Sequence, residues 1–227
     1  MLFSGGHLRN VGAIEFLNRY EDKSVDLLLT DPPYSTDVEN LDDFIDSWLF
    51  NAIKKVKDTG RVFIFIGAYP KEIEAYLKRL NKQTDLIFEN VLVWIYKNEI
   101  GPTPKMSFIQ NIQFILYLRG KNATGWHTDK IMDLLSVYEI NAPDGRLGNR
   151  HYKWQKPIEL IDKLISISTN PGDLVIDCFA GSGTHLLSAC KFKRRCSGCE
   201  IDKDVVKIAC ERGCVLLTLT PPLMGNK

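Results

Sequence analysis

The sequence predicts an α/β domain in which helices cover both faces of a mostly parallel sheet. Three observations carry that expectation. Strand-like and helix-like segments alternate along most of the chain, the pattern of a sheet whose crossovers are helices. At 227 residues and 44% apolar content, the chain has the size and the core of one ordinary globular domain. Two apolar runs break off abruptly into loops of unusual composition, DPPY at 31–34 and FAGSGT at 179–184. In open α/β sheets the carboxyl ends of the strands are where ligands bind.

The elements follow in order. Val25 to Leu29 reads as a strand buried on both faces, continuous rather than alternating. Leu41 to Val56 has apolar residues at helical spacing and ends near Gly60. RVFIFIG is the next strand, and PKEIEAYLKRL a helix with Pro70 at its start. LIFENVLVWIY and IQFILYL are two strands separated by the Gly/Pro loop KNEIGPTPKMSF. The pattern then weakens from Gly120 to Arg150, which makes that stretch a candidate insertion. Beyond it come the helix KPIELIDKLISIS, the strand DLVIDCF, the helix THLLSACKF, the strand RRCSGCEI and the helix KDVVKIACERG, closed by Gly213. The tail VLLTLTPPL reads as one more strand, without an assigned role.

A net charge of +1 neither favours nor excludes nucleic acid, because a local basic face can sit inside a neutral total. The start MLFSGGHLRN lacks the pattern of a signal peptide. Runs such as VFIFIGAY are far too short to span a bilayer, so a soluble cytoplasmic protein with no membrane partner is expected. All six cysteines lie between Cys178 and Cys214. The spacing Cys196-x2-Cys199 with Cys210-x3-Cys214 would suit zinc, but these positions fall in a strand and a helix, where cysteine serves as a small buried apolar residue. No metal and no disulfide framework is expected.

The segment DLVIDCFAGSGTHLL (173–187) runs from a strand through two glycines directly into a helix. Glycine lets the backbone turn tightly and approach a ligand, and the helix start offers free N–H groups. No Lys follows the last glycine, so this is not a P-loop, and the third glycine of a dinucleotide fingerprint is absent. After the next strand stands Glu200, placed to accept hydrogen bonds from two ribose hydroxyls. The whole unit fits a nucleoside site; a plain glycine turn beside a surface Glu is the alternative. For DPPY, the alternative is a turn that closes a strand, with Asp as a local cap.

Together, DPPY and FAGSGT resemble the amino-methyltransferases that move a methyl from S-adenosylmethionine to the exocyclic nitrogen of a base. DPPY precedes FAGSGT, which is similar to the beta-type, circularly arranged DNA methyltransferases. HYKWQKPIELIDKLI (151–165) resembles the family's HPxxKP helix motif, ENVLVWIYKN the strand before its loop, and GCEID the ribose-binding acid. The resemblance implies a Rossmann-like methyltransferase fold with a catalytic part at 1–119, a small recognition insertion at 120–150 and a cofactor-binding part at 151–227. It implies S-adenosylmethionine as cofactor, held by Gln155, Lys156, Asp177, Phe179, Ala180, Gly181, Ser182, Gly183, Thr184, Glu200 and Ile201. Asp31, Pro32, Pro33 and Tyr34 are the implied catalytic group, and double-stranded DNA the implied partner, with a homodimer left open. The chain departs from the pattern at Gly6-His7, where Gly-Asp is usual, and at Tyr152 and Cys178, where Pro is usual. It departs again at Val205 and Val206, where an aromatic residue is common.

The chemistry explains DPPY. An exocyclic amine is a poor nucleophile because its lone pair is delocalised into the ring. Acceptors placed out of the ring plane favour the tetrahedral nitrogen and its developing charge. The Asp31 carboxylate and the Pro32 carbonyl would be those acceptors, the backbone being fixed by two pyrrolidine rings. Tyr34 offers a face for an unstacked base, a contact of roughly 1–3 kcal/mol. A base inside a duplex must be flipped out to arrive there. Lys105, Lys130, Arg146 and Arg150 are the candidate phosphate contacts, beside Trp126, His127, His151, Lys153 and Trp154. Adenine N6 leads and cytosine N4 follows, with structured RNA also open. A protein-glutamine methyltransferase would usually carry Asn in place of Asp31. A non-catalytic nucleic-acid-binding partner with this fold and a nicotinamide oxidoreductase remain the readings from other classes.

Overall fold

The computed structural model describes residues 5–83, 85–98 and 105–217. Its strands are β1 (His7–Arg9), β2 (Val25–Thr30), β3 (Val56–Gly67), β4 (Ile87–Ile95), β5 (Ile112–Arg119), β6 (Val137–Glu139), β7 (Leu174–Asp177), β8 (Arg195–Cys199) and β9 (Val215–Leu216). Its helices are α1 (Ala13–Leu17), α2 (Leu41–Lys55), α3 (Pro70–Leu80), α4 (Ile158–Ser168), α5 (Thr184–Lys191) and α6 (Lys203–Glu211). Among the described residues the strands form one sheet in the order β6-β4-β5-β3-β2-β7-β8-β1-β9. Every neighbouring pair is parallel except those of β5, which runs antiparallel to both β3 and β4. This is the α/β class that the alternation predicts.

Burial explains the centre. Val25, Leu27, Leu28 and Leu29 of β2 are all fully buried, because helices cover both faces of the sheet. On one face α1, α2 and α3 pack through Phe16, Trp48 and Tyr76. On the other, α4, α5 and α6 pack through Leu160, Leu164, Leu186 and Val206. Asn40 opens α2 as its N-cap, accepting from the Asp43 N–H at 3.2 Å. No helix among the described residues is long and apolar enough to cross a membrane.

Three boundaries differ from the sequence expectation. Residues 56–60, expected to close α2, instead open β3: Val56 is already extended and 2% exposed. Lys57 is held to Asp26 of β2 at 2.6 Å, while the pairing register jumps from Val25↔Val56 to Leu27↔Arg61. The segment 120–150 also contributes to the sheet. β6 pairs with the edge of β4, Trp94 donates to the Ile140 carbonyl at 2.7 Å, and Asn98 and Ala142 exchange two hydrogen bonds. In the tail, β9 accounts for Val215 and Leu216, and residues 218–223 of that expected strand lie outside the described residues.

Candidate active site

β2 and β7 are parallel neighbours, paired at Leu28↔Ile176, so the loops that leave their carboxyl ends stand side by side. Topology thereby joins two motifs about 150 positions apart in sequence. The Thr30 hydroxyl, at the end of β2, donates to Asp177 Oδ1 at the end of β7 across 2.7 Å. The two loops, with the turn after β8 and residues 152–156, line one cavity of about 490 Å³.

On the DPPY side, Asp31, Pro32, Pro33 and Tyr34 all line the cavity. The Tyr34 hydroxyl donates to Asp31 Oδ1 at 2.9 Å, and Lys156 Nζ donates to Asp31 Oδ2 and, at 2.9 Å, to the Tyr34 oxygen. Burial, and next the Asp31 charge, push the Tyr34 phenol well above its ordinary value, so it stays a neutral donor. Trp154 meets the Tyr34 ring edge-on at 6.1 Å. The loop is anchored from behind by Glu72, in the first turn of α3 and 1% exposed. Its carboxylate accepts the Gly67 N–H at 2.6 Å and the Ser35 N–H at 2.9 Å.

On the glycine side, Gly181 and Gly183 both adopt positive φ, +51° and +81°. A side chain at Gly183 would sit at a positive φ and meet the Cys214 sulfur at 2.4 Å, so a larger residue is strained there. Arg212 clamps the turn, donating to the Ser182 carbonyl at 2.6 Å and to the Ser182 and Thr184 hydroxyls at 2.8 and 2.9 Å. Glu200 Oε2 accepts the Gly181 N–H at 3.0 Å and Oε1 accepts the Asp202 N–H at 2.9 Å. Burial raises the Glu200 carboxyl above its ordinary value, against the lowering effect of those backbone donors. Phe179 packs edge-on against Trp48, with centroids 5.0 Å apart.

Most of the expected cofactor residues therefore converge: Gln155, Lys156, Phe179, Ala180, Gly181, Ser182, Thr184, Glu200 and Ile201 all line the cavity. Asp177 and Gly183 do not. Asp177 is fully buried, its oxygens taken by Thr30, the Phe179 N–H at 3.0 Å and His185 Nδ1 at 2.7 Å, so it ties β2, β7 and α5 together beneath the cavity. Gly183 serves the turn from behind. Gln155 braces its own loop, accepting the His151 N–H and donating to the Asn149 carbonyl, both at 2.9 Å.

The four candidate phosphate contacts, Lys105, Lys130, Arg146 and Arg150, are exposed and lie outside the cavity lining. Arg146 is forked onto Asp144, whose carboxyl is lowered to about 2 by that contact. Glu72, His185, Arg212 and the stretch Val11–Ile14, which runs into α1, were not legible as site residues. Their letters are ordinary, and Glu72 and Arg212 acquire their roles through partners 37 and 30 positions away. Trp154 did carry a signal, as one of the aromatic residues flanking the segment 120–150.

A family model described as DNA methylase matches residues 25–211. The type II methyltransferase M.HpaI of Haemophilus parainfluenzae is 29% identical over 232 residues, covering 88% of this chain and 71% of that protein. Among solved structures, the M1.HpyAVI complex with S-adenosylmethionine has a TM-score of 0.71 at 24% identity, covering 91% of this chain and 98% of that one. The cytosine-N4-specific PvuII DNA methyltransferase has a TM-score of 0.77 at 19% identity, covering 92% and 86%.

Proposed function

Since this chain belongs to the DNA methylase family of N6 and N4 amino-methyltransferases, we propose that it moves the methyl group of S-adenosylmethionine to the exocyclic N6 of an adenine flipped out of double-stranded DNA. One observation carries the reading. A single cavity is lined both by Asp31-Pro32-Pro33-Tyr34 and by the glycine turn with its acid, Glu200.

The residues present fit the cofactor. The volume of about 490 Å³ suits a small-molecule site. Each Glu200 oxygen has accepted one backbone N–H and keeps a lone pair for a ribose hydroxyl. Nothing lies within 4 Å of the side-chain position at Gly181, so backbone and ligand can meet closely there. Phe179, Ala180 and Ile201 add apolar wall, while Ser182, Thr184 and Gln155 complete the lining. When bound, S-adenosylmethionine supplies an electrophilic methyl on a sulfonium.

The protein's own part is positioning and electrostatics. Asp31 accepts a hydrogen bond from the target amine and favours the tetrahedral nitrogen and its growing positive charge. Pro32 and Pro33 hold the loop without N–H donors that would compete for that carboxylate. Tyr34, with Trp154 edge-on beside it, offers an aromatic surface against which the extruded base rests. Holding the two reactants in line supplies much of the acceleration.

Asp31 as the first letter of DPPY supports adenine over cytosine, in keeping with the resemblance. The test is mass spectrometry of nucleosides from unmethylated DNA incubated with the protein and S-adenosylmethionine. N6-methyladenine is expected with the native chain and not with Asp31→Ala, which should keep most of its cofactor affinity. N4-methylcytosine would leave the mechanism and move the base. No methylated nucleoside from DNA would sink the reading.

A further inference from the structure

Lys156 belongs to the KP pair that the resemblance gives to the cofactor, yet its side chain is committed elsewhere. It is 3% exposed, and its ammonium has three N–H donors. One goes to Asp31 Oδ2, one to the Tyr34 oxygen at 2.9 Å, and the third faces the Trp154 carbonyl at 3.5 Å. The same nitrogen stands 5.4 Å from the centre of the Tyr34 ring and 5.5 Å from that of Phe65. Every donor is aimed at protein, and aromatic rings occupy much of the remaining surroundings.

We propose that Lys156 is the positioning residue of the acceptor carboxylate, fixing the plane of Asp31 and the direction of the Tyr34 proton rather than holding the cofactor. This rests on the reading of Asp31 as the acceptor for the target amine. The terminal torsion of an Asp side chain is broad, so a carboxylate at a loop tip has no preferred plane of its own. Two donors on different oxygens fix that plane: Lys156 on Oδ2 and Tyr34 on Oδ1. An ammonium cannot accept a hydrogen bond, so its contact with the Tyr34 oxygen turns the single phenolic proton toward Asp31. Each carboxylate oxygen then keeps one lone pair for the incoming amine. A charged donor makes this bond stronger than a neutral one would.

The role predicts a split between binding and chemistry. Cofactor affinity of the full chain is measured by calorimetry without DNA, and methyl transfer by single turnover at saturating cofactor. Lys156→Met should slow transfer by about a hundredfold, the scale of a misplaced reacting group, while the Kd for S-adenosylmethionine stays within about threefold. Lys156→Arg, which keeps the charge, should recover at least about a tenth of the native rate. Affinity also reports folding. Should Lys156→Met not fold, Lys156→Gln replaces it and is expected to fall below Lys156→Arg in rate at similar affinity. A Met or Gln variant transferring within about threefold of native overturns the proposal. So does a Kd that weakens as much as the rate falls, which would make Lys156 a cofactor ligand. A native chain that methylates no DNA removes the acceptor reading itself, and this inference with it.

Discussion

Glu200 does two things with one carboxylate, bracing the Gly181 turn and presenting acceptors to the cavity. Burial raises its pKa, so protonation sets in at a higher pH than for an ordinary Glu. Protonation removes acceptor capacity, and affinity for S-adenosylmethionine should therefore fall as solutions are acidified through the raised value. Stability should move the other way. The folded state binds the proton more tightly than the unfolded chain, so this group's contribution to stability falls as pH rises from the ordinary value through the raised one. Glu200→Gln should bind more weakly and with a flatter pH profile; calorimetry across that range checks both, and equal slopes would remove Glu200 from the ribose role. Glu200, Asp31 and the glycine turn were legible because each is part of a contiguous motif. That Lys156 bonds to Asp31 was not legible, because Asp31 is 125 positions away. Asp177 shows the same limit: its bond from Thr30, 147 positions away, leaves no trace in the local letters.

α3 shows how a helix outside the two motifs can govern the site. Its periodicity and Pro70 made the helix plain in the sequence, but not that Glu72 reaches back to Ser35 beside DPPY. Glu72→Ala would leave the Gly67 and Ser35 N–H groups without their acceptor, at about 1–3 kcal/mol for each that stays buried. Urea unfolding should show a midpoint lowered accordingly, and methyl transfer in the still-folded protein should drop further than cofactor affinity. Unchanged transfer would mean that DPPY holds its shape unaided. The longer elements were legible because eight or more helical residues leave a 3.6-residue period, and a fully buried strand leaves an unbroken apolar run. β1 and β6, three residues each, leave none. They exist because a neighbouring strand already offers a hydrogen-bonding edge, β8 for one and β4 for the other.

The molecule as a whole carries a net charge of +1, so attraction to DNA must come from local arrangement. Lys105 and Lys130 are exposed, and neither lies in the cavity lining. Arg146 is exposed too, but its guanidinium is already neutralised by the fork onto Asp144. Its remaining donors could still meet a phosphate, but the Asp144 carboxylate beside them takes back much of the Coulomb gain. The four candidate contacts are therefore unequal. Removing Lys105 or Lys130 should reduce the magnitude of the log K versus log[salt] slope by about one each if each meets a phosphate, and Arg146→Ala by clearly less. These substitutions should leave the Kd for S-adenosylmethionine unchanged, which separates lost DNA contact from general damage. DNA binding measured over a salt series decides the matter. A slope that survives Lys105→Ala with Lys130→Ala would move the phosphate track elsewhere on the surface, and an Arg146 effect as large as theirs would mean that DNA takes Arg146 from Asp144.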